Sequence, residues 1–338
     1  MNKKSILKFA VLVTTLLLPN TALAAKDMVV GTWLSPKHPH NAIVMKTWGD
    51  WINTATEGRV NLQLKYHQGH PKDIFGGVED GNYDAGWSFH GYLPGKFKLT
   101  VMPELPLLGA EAEAASLAYW RVHQKYLAAA NEHQGLTLAG LFLHGPGQIM
   151  LRAPVQSLAD MKNKKIRVGG GVQGQIAEAL GVKAVPAPGS KVYEILSQGV
   201  ADGVFMPVGE QNTLRLSEVT KFIYESPGGM YLGSFGIFIS PDFLRKIGKK
   251  DADAIMAVSG ESLSLLAGRA WANNDINGYA KAKEANVNIV RWSDADVNRF
   301  NGIATDIEKN WLLSVADRKI DAKQALAEFR TIARNYPY

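Results

Sequence analysis

Short apolar runs alternate with amphipathic helical stretches twice along this chain, and that alternation limits the fold more than any other feature. Residues 28–34 form a short apolar run. Beyond Pro36, the positions Val44, Trp48, Trp51, Ile52 and Ala55 fall on one helical face that stops at Gly58. Val60, Leu62, Leu64 and Tyr66 then alternate as in a strand. A helix is expected over 73–80, a strand over 84–89, a helix over 110–131 and a strand over 136–143. The pattern restarts with a strand over 165–168, a helix over 172–180, a strand over 182–185, a helix over 190–198 and a strand over 203–206. Such alternation predicts an α/β fold with two mostly parallel sheets flanked by helices. Beyond Pro241 the reading is nearly all helical. Residues 251–286 read as one stretch of about 35 residues, about 50 Å at 1.5 Å per residue, with Gly260, Gly268 and Gly278 as weak points. That is longer than one lobe is wide, so the helix is expected to span two. Helices over 294–315 and 321–335 finish the chain.

A length of 338 residues suits about two domains. The absence of cysteine excludes a disulfide scaffold, a thiol nucleophile, an iron–sulfur site and a thiolate zinc site. The formal charge of +6 would suit a polyanion partner, but part of it lies in a leader. Lys3, Lys4 and Lys8 precede an apolar run over 9–18, and Ala22-Leu23-Ala24 is a small-x-small cleavage site. This is the pattern of a secretory signal peptide over 1–24; the run is too short to span a bilayer. Without its three lysines, 34 basic residues face 31 acidic ones, a net of +3, with no basic run to track phosphates. The mature protein is expected to be exported and not to bind nucleic acid.

Several groups could carry chemistry. Gly169, Gly171 and Gly174 satisfy G-x-G-x-x-G between a strand and a helix, the setting of a dinucleotide fingerprint. The acidic residue expected about 20 positions later would be Glu194, which falls inside a helix instead of at a strand end. A helix N-terminus facing a carboxylate keeps the same physics. Arg167, between apolar Ile166 and Val168, faces the opposite side of its strand just before these glycines, where a guanidinium can hold a carboxylate through two parallel bonds. All eight histidines precede residue 150. His38-x-His40 and His67-x-x-His70 have metal-like spacing but no acidic partner within either motif, so structural or ligand-bonding roles are expected and no metal. Trp33, Trp87, Phe89, Phe205 and Met206 cluster near the C-terminal ends of predicted strands, where open α/β sheets bind ligands. No lipase-like G-x-S-x-G or Ser–His–Asp order is present.

These residues resemble a known family, the periplasmic solute-binding proteins of tripartite ATP-independent periplasmic (TRAP) transporters. The resemblance is carried by Gly58-Arg59-Val60, by the segment 79–85 (EDGNYDA), by 157–168 (SLADMKNKKIRV) and by 192–203 (VYEILSQGVADG), which in order and spacing cover nearly the whole mature chain. It implies a two-lobed clamshell, with one lobe over 25–145 and 235–270 and the other over 146–234 and 271–338. It also implies crossings near Gly145 and Phe235, a long helix shared by both lobes, no catalysis and no cofactor. The expected partners are a small carboxylate and the transporter's membrane subunits, with the protein a periplasmic monomer. Arg167 matches the arginine that usually pairs with the ligand carboxylate. The chain departs from the pattern of many relatives at Gly147-Gln148, where they carry a second arginine, at Phe205-Met206, where they carry Glu-Asn, and at Gly189, where some sugar-acid binders carry an aromatic residue. These departures point to a monocarboxylate with an apolar or aromatic body rather than a sugar acid. The expected site is Arg167, Trp33, Phe89, His90, His144, Gln148, Gly169, Gly170, Phe205 and Met206, with Gln148 or His144 as an auxiliary donor. Two other readings compete: an exported metal-dependent enzyme using the histidines, and the binding protein of an ATP-driven importer.

Overall fold

The computed structural model describes residues 25–337; the proposed signal peptide lies outside them. Eleven strands are arranged in two sheets among the described residues. The first sheet has the order β2-β1-β3-β10-β4, with β1 Lys26–Thr32, β2 Val60–Tyr66, β3 Ala85–Phe89, β4 Thr137–Leu143 and β10 Ser234–Ile239. The second has the order β11-β9-β5-β8-β6-β7, with β5 Gly147–Leu151, β6 Lys165–Val168, β7 Lys183–Pro186, β8 Gly203–Pro207, β9 Phe222–Glu225 and β11 Asn288–Arg291. The helices are α1 Lys46–Ala55, α2 Asp73–Glu79, α3 Ala112–Val122, α4 Val172–Ala179, α5 Val192–Ser197, α6 Glu210–Thr213, α7 Leu216–Val219, α8 Pro241–Ile247, α9 Lys249–Ala257, α10 Glu261–Glu284, α11 Asp294–Ser314 and α12 Ala322–Arg334. Side-chain caps fix several of their starts: Ser240, Ser293 and Asp321 accept from the backbone N–H three residues on at α8, α11 and α12.

In each sheet all strands but one run the same way. The exception in the first is β10, antiparallel to β3 and β4, and in the second β5, antiparallel to β8 and β9. Both are strands that a short crossing segment delivers directly from a strand of the other sheet, so the reversal goes with these direct crossings. The chain passes from β4 to β5 through 144–146 and returns from β9 to β10 through 226–233. The two crossings lie side by side and bond to each other: His144 N–H donates to Gly233, Gly147 N–H to Tyr231 and Met230 N–H to Gly147, at 3.1, 2.8 and 2.9 Å.

The expected continuous helix over 251–286 is interrupted. Gly260 takes φ +68°, a left-handed conformation, and separates α9 from the 24-residue α10. Helix α10 nonetheless joins the two lobes, because it packs on α3 and β4 of the first and on α6 of the second. Its other two glycines are contact points. A methyl group at Gly268 would lie 2.6 Å from the Ala112 carbonyl of α3, and one at Gly278 would overlap Val208 in the second lobe. Helix α12 packs back on α3.

Candidate functional site

Between the two sheets lies a partly open cavity lined by residues of both. Its walls are largely aromatic. Trp33 follows β1, Phe89 ends β3, Phe235 starts β10 and Trp271 projects from α10, while Met206 and Leu214 close the opposite side. The sheet register builds this wall, because Phe235 stands opposite Phe89 on one neighbouring strand and Phe142 on the other. The ring centroids of these pairs are 5.3 and 4.9 Å apart, and Trp271 stacks on Phe235 at 5.7 Å.

Into this apolar space β6 delivers one cation. Arg167 is 2% exposed, and its Nε and Nη2 donate to the Ala187 carbonyl at 2.9 and 2.6 Å. No carboxylate pairs with it among the described residues; Glu210 acts only as a more distant charge. Burial pushes the guanidinium below its ordinary value, partly offset by Tyr92 and Tyr231, yet arginine stays protonated in proteins. A buried unpaired cation costs several kcal/mol, and an anion entering the cavity would recover much of it. Three further donors point to the same need. The Tyr231 hydroxyl and the indole N–H groups of Trp33 and Trp271 belong to residues lining this cavity, and none has a hydrogen-bond partner among the described residues. The Tyr92 hydroxyl accepts from the Gly189 N–H at 2.9 Å, tying the first lobe to the second beside Arg167.

Of the residues expected here, Arg167, Trp33, Phe89, His144, Gly169 and Met206 line the cavity. His144 presents its ring only: Nδ1–H donates to the Gly145 carbonyl at 2.6 Å and Nε2 accepts from Gly233 N–H at 3.0 Å, leaving no nitrogen for a ligand. The structure does not bring His90, Gln148, Gly170 or Phe205 to the cavity. Strand alternation sends Phe205 into the core on the opposite face of β8 from Met206. Gln148 is held by the backbone of Ser226, donating at 3.2 Å and accepting at 2.8 Å. His90 turns under the sheet toward Ser234 and His133. Gly170 packs against the backbone of Gly91.

The glycine motif also has a different role from either one weighed above. The Gly169 N–H is taken by Gln173 at 2.8 Å, and the first N–H of α4, that of Val172, by Glu104 at 3.2 Å. The group at this helix N-terminus is therefore a carboxyl side chain of the other lobe. His38, also near the cavity, contacts Glu210 at 3.4 Å, while His40 lies between the rings of Trp87 and Phe142 at 3.9 and 4.7 Å. Tyr92, Tyr231, Trp271, Phe235 and Glu210 were not anticipated. Tyr92 ends a three-residue helical turn, His90–Tyr92, and Tyr231 sits in the second crossing, so neither has a period to betray it. Trp271 lies mid-helix, where a core role reads identically.

Comparison with known proteins agrees with this architecture. The family model for bacterial extracellular solute-binding proteins, family 7, matches residues 30–312. A TRAP periplasmic solute-binding protein from Bordetella bronchiseptica, solved with bound (R)- and (S)-mandelate, is 35% identical with a TM-score of 0.88, over 91% of this chain and 99% of that one. A TRAP solute-binding protein from Rhodoferax ferrireducens, solved with copurified benzoate, shares the fold at a TM-score of 0.84 and 24% identity, over 92% of this chain and 98% of that one. Among curated proteins, the outer membrane transporter protein TsaT of Comamonas testosteroni is 27% identical over 90% of this chain and 91% of its own length. With two sheets joined by paired crossings, a cavity between them and a family match over most of its length, the chain belongs to the bacterial extracellular solute-binding proteins of family 7, the periplasmic binding proteins of TRAP transporters.

Proposed function

We propose that this protein captures a small monocarboxylate with an aromatic or otherwise apolar body and delivers it, from the periplasm, to the membrane subunits of a TRAP transporter. The observation that carries the reading is Arg167, a buried guanidinium without a carboxylate partner inside an aromatic cavity. The carboxylate would take the free face of Arg167, with the Tyr231 hydroxyl beside it, and the apolar body would rest on Trp33, Phe89, Phe235 and Met206. The mandelate-bound relative supports an aromatic acid. The lobes, divided at 144–146 and 226–233, would open about these crossings and close on the ligand because it contacts both. The protein acts as a monomer without cofactor or catalysis.

The test is native mass spectrometry of the purified protein followed by calorimetry with mandelate, benzoate, sialic acid and glucuronate. Micromolar or tighter binding of the aromatic acids with no heat from the sugar acids supports the reading. The reverse preference would overturn it.

A further inference from the structure

Glu104 ends a short helical turn, Met102–Glu104, which packs on α12, and is fully buried. Its two oxygens serve different lobes. Oε1 accepts from the N–H and the hydroxyl of Ser234 on β10, at 3.2 and 2.7 Å. Oε2 accepts from the Val172 N–H, the first of α4, at 3.2 Å. One carboxyl thus bridges a strand of the first lobe and a helix N-terminus of the second, where Gly170 and Gly171 meet the backbone of Gly91.

The groups facing Glu104 bring it no compensating cation. From α3 comes Tyr119, whose hydroxyl donates to the Thr100 carbonyl, and from the second crossing comes Tyr231; burial raises the pKa of both phenols, so they stay neutral. Glu132 spends its oxygens on the N–H groups of Lys98, Leu99 and Thr100. Lys96 pairs with Glu79. Behind Ser234 lies His90, with Nδ1 3.2 Å from the Ser234 hydroxyl and Nε2 2.9 Å from Nε2 of His133. Burial lowers both histidines, His90 to about 3, so neither supplies charge.

This chain can run in either direction. With Glu104 ionised, Ser234 donates to it and His90 presents Nδ1–H to Ser234. With Glu104 protonated, its O–H donates to Ser234, which turns to donate to His90 Nδ1; His90 then carries its hydrogen on Nε2 and donates to His133 Nε2, and His133 carries its own on Nδ1. Glu104, Ser234 and His90 stay paired in both states, so the carboxyl can hold a proton without losing its partners.

We propose that Glu104 is a positioning residue of ligand capture, and that closing the lobes seats its carboxyl against α4 and draws one proton from solvent. This rests on the proposed function. With the carboxyl against α4 as here, which the proposal takes as the closed arrangement, burial holds it up at about 7. Opening would separate it from Val172 and let water return it toward the ordinary value of 4.5. The closed-state value is the raised one, so the contribution favouring closure is complete below the open-state value and is lost as pH rises through about 7. Linkage then predicts ligand affinity about tenfold weaker at pH 8 than at pH 6, with about 0.9 proton taken up at pH 6 and about 0.1 at pH 8.

The experiment is calorimetry of mandelate binding at both pH values, each in two buffers of different ionisation enthalpy, for wild type and Glu104→Gln. Proton uptake in the wild type that disappears in the variant supports the proposal; equal uptake in both overturns it. If Glu104→Gln does not fold, the wild-type profile decides, and no uptake at pH 6 overturns the proposal. If mandelate fails to bind the wild type, the functional reading is what fails, and closure is read without ligand. The cysteine-free chain accepts spin labels through Lys65→Cys and Lys183→Cys, one in each lobe. A shift toward shorter distances at pH 6 in the wild type alone supports the proposal, and coincident pH profiles in wild type and Glu104→Gln overturn it.

Discussion

Arg167 contributes in opposite senses to the empty and the liganded protein. Without an anion it is a buried, undercompensated charge; with one it forms a charge-assisted pair sheltered from water. Replacing it with alanine is therefore expected to weaken carboxylate binding by about 2–5 kcal/mol, roughly 30-fold to several thousand-fold, while the ligand-free protein loses no thermal stability. Calorimetry with mandelate and a melting curve of the ligand-free variant check both halves; unchanged affinity would remove Arg167 from the site. Arg167→Lys keeps the charge and loses the fork, so it should fall between the two. Arg167 could be read from sequence because a single arginine interrupts an apolar strand just before a glycine loop. The pair Phe205-Met206 misled because a strand has a period of two: both cannot face one cavity, and only the packing decides which does. Tyr231 gave no signal at all, since its position depends on the second crossing, which pairs with residues more than 80 positions away.

The loop from β6 into α4 shows how one sequence pattern can serve two unrelated ends. In a dinucleotide site the third glycine lets helix and strand approach, but a methyl group at Gly174 would meet only open space. Gly171 is the constrained position, with φ +59° and ψ −139° and with Gly91 and the Glu104 carboxyl beside it. Gly171→Ala should destabilise the protein by about 1–3 kcal/mol through backbone strain, and it should weaken mandelate binding as well because the added methyl obstructs lobe contact. Gly174→Ala, inside α4, should be neutral or stabilising by up to about 1 kcal/mol with affinity unchanged. Thermal unfolding and calorimetry on both variants separate a contact loop from a phosphate loop; equal effects at the two positions would contradict this account. The same lesson holds for α10, where three glycines all read as weak points. Only Gly260 interrupts the helical stretch, standing just before α10, while Gly268 and Gly278 let that helix approach the two lobes. The elements missed were those with no usable period. Strands β5 and β10 are buried on both faces, so alternation cannot mark them, β9 has only four residues, and β11 is exposed throughout at a sheet edge.

At the scale of the whole molecule, the restarting strand–helix pattern made two lobes legible. How they lock together was not, because that depends on polar residues such as Glu104, Tyr92 and Asp275, whose partners are remote in sequence. Burial of such groups sets the pH response of the fold. His90 is lowered to about 3, His123 and His144 to about 4, and His40 and His133 well below their ordinary value, all chiefly by desolvation. Each must take up a proton on unfolding, so its contribution is present above about 6.5 and is lost as pH falls toward its folded value. Glu104 and Asp275 act oppositely. Burial raises them to about 7 and about 8, so their contribution is present in acid and lost as pH rises through those values. Each group supplies at most about 1.4 kcal/mol per pH unit. Five histidines outweigh two carboxyls between pH 6.5 and 4.5, and above pH 7 only the carboxyls act. The melting temperature of the ligand-free protein should therefore peak between about pH 6.5 and 7, fall steeply toward pH 4.5 and decline gently toward pH 9. Calorimetric melting across that range checks it, and a curve still rising as pH falls from 6.5 to 4.5 would show that the histidines are hydrated rather than buried. The acid side of neutral, where Glu104 is expected to favour closure, borders the pH of greatest stability. Capture can therefore strengthen there before acid begins to unfold the lobes.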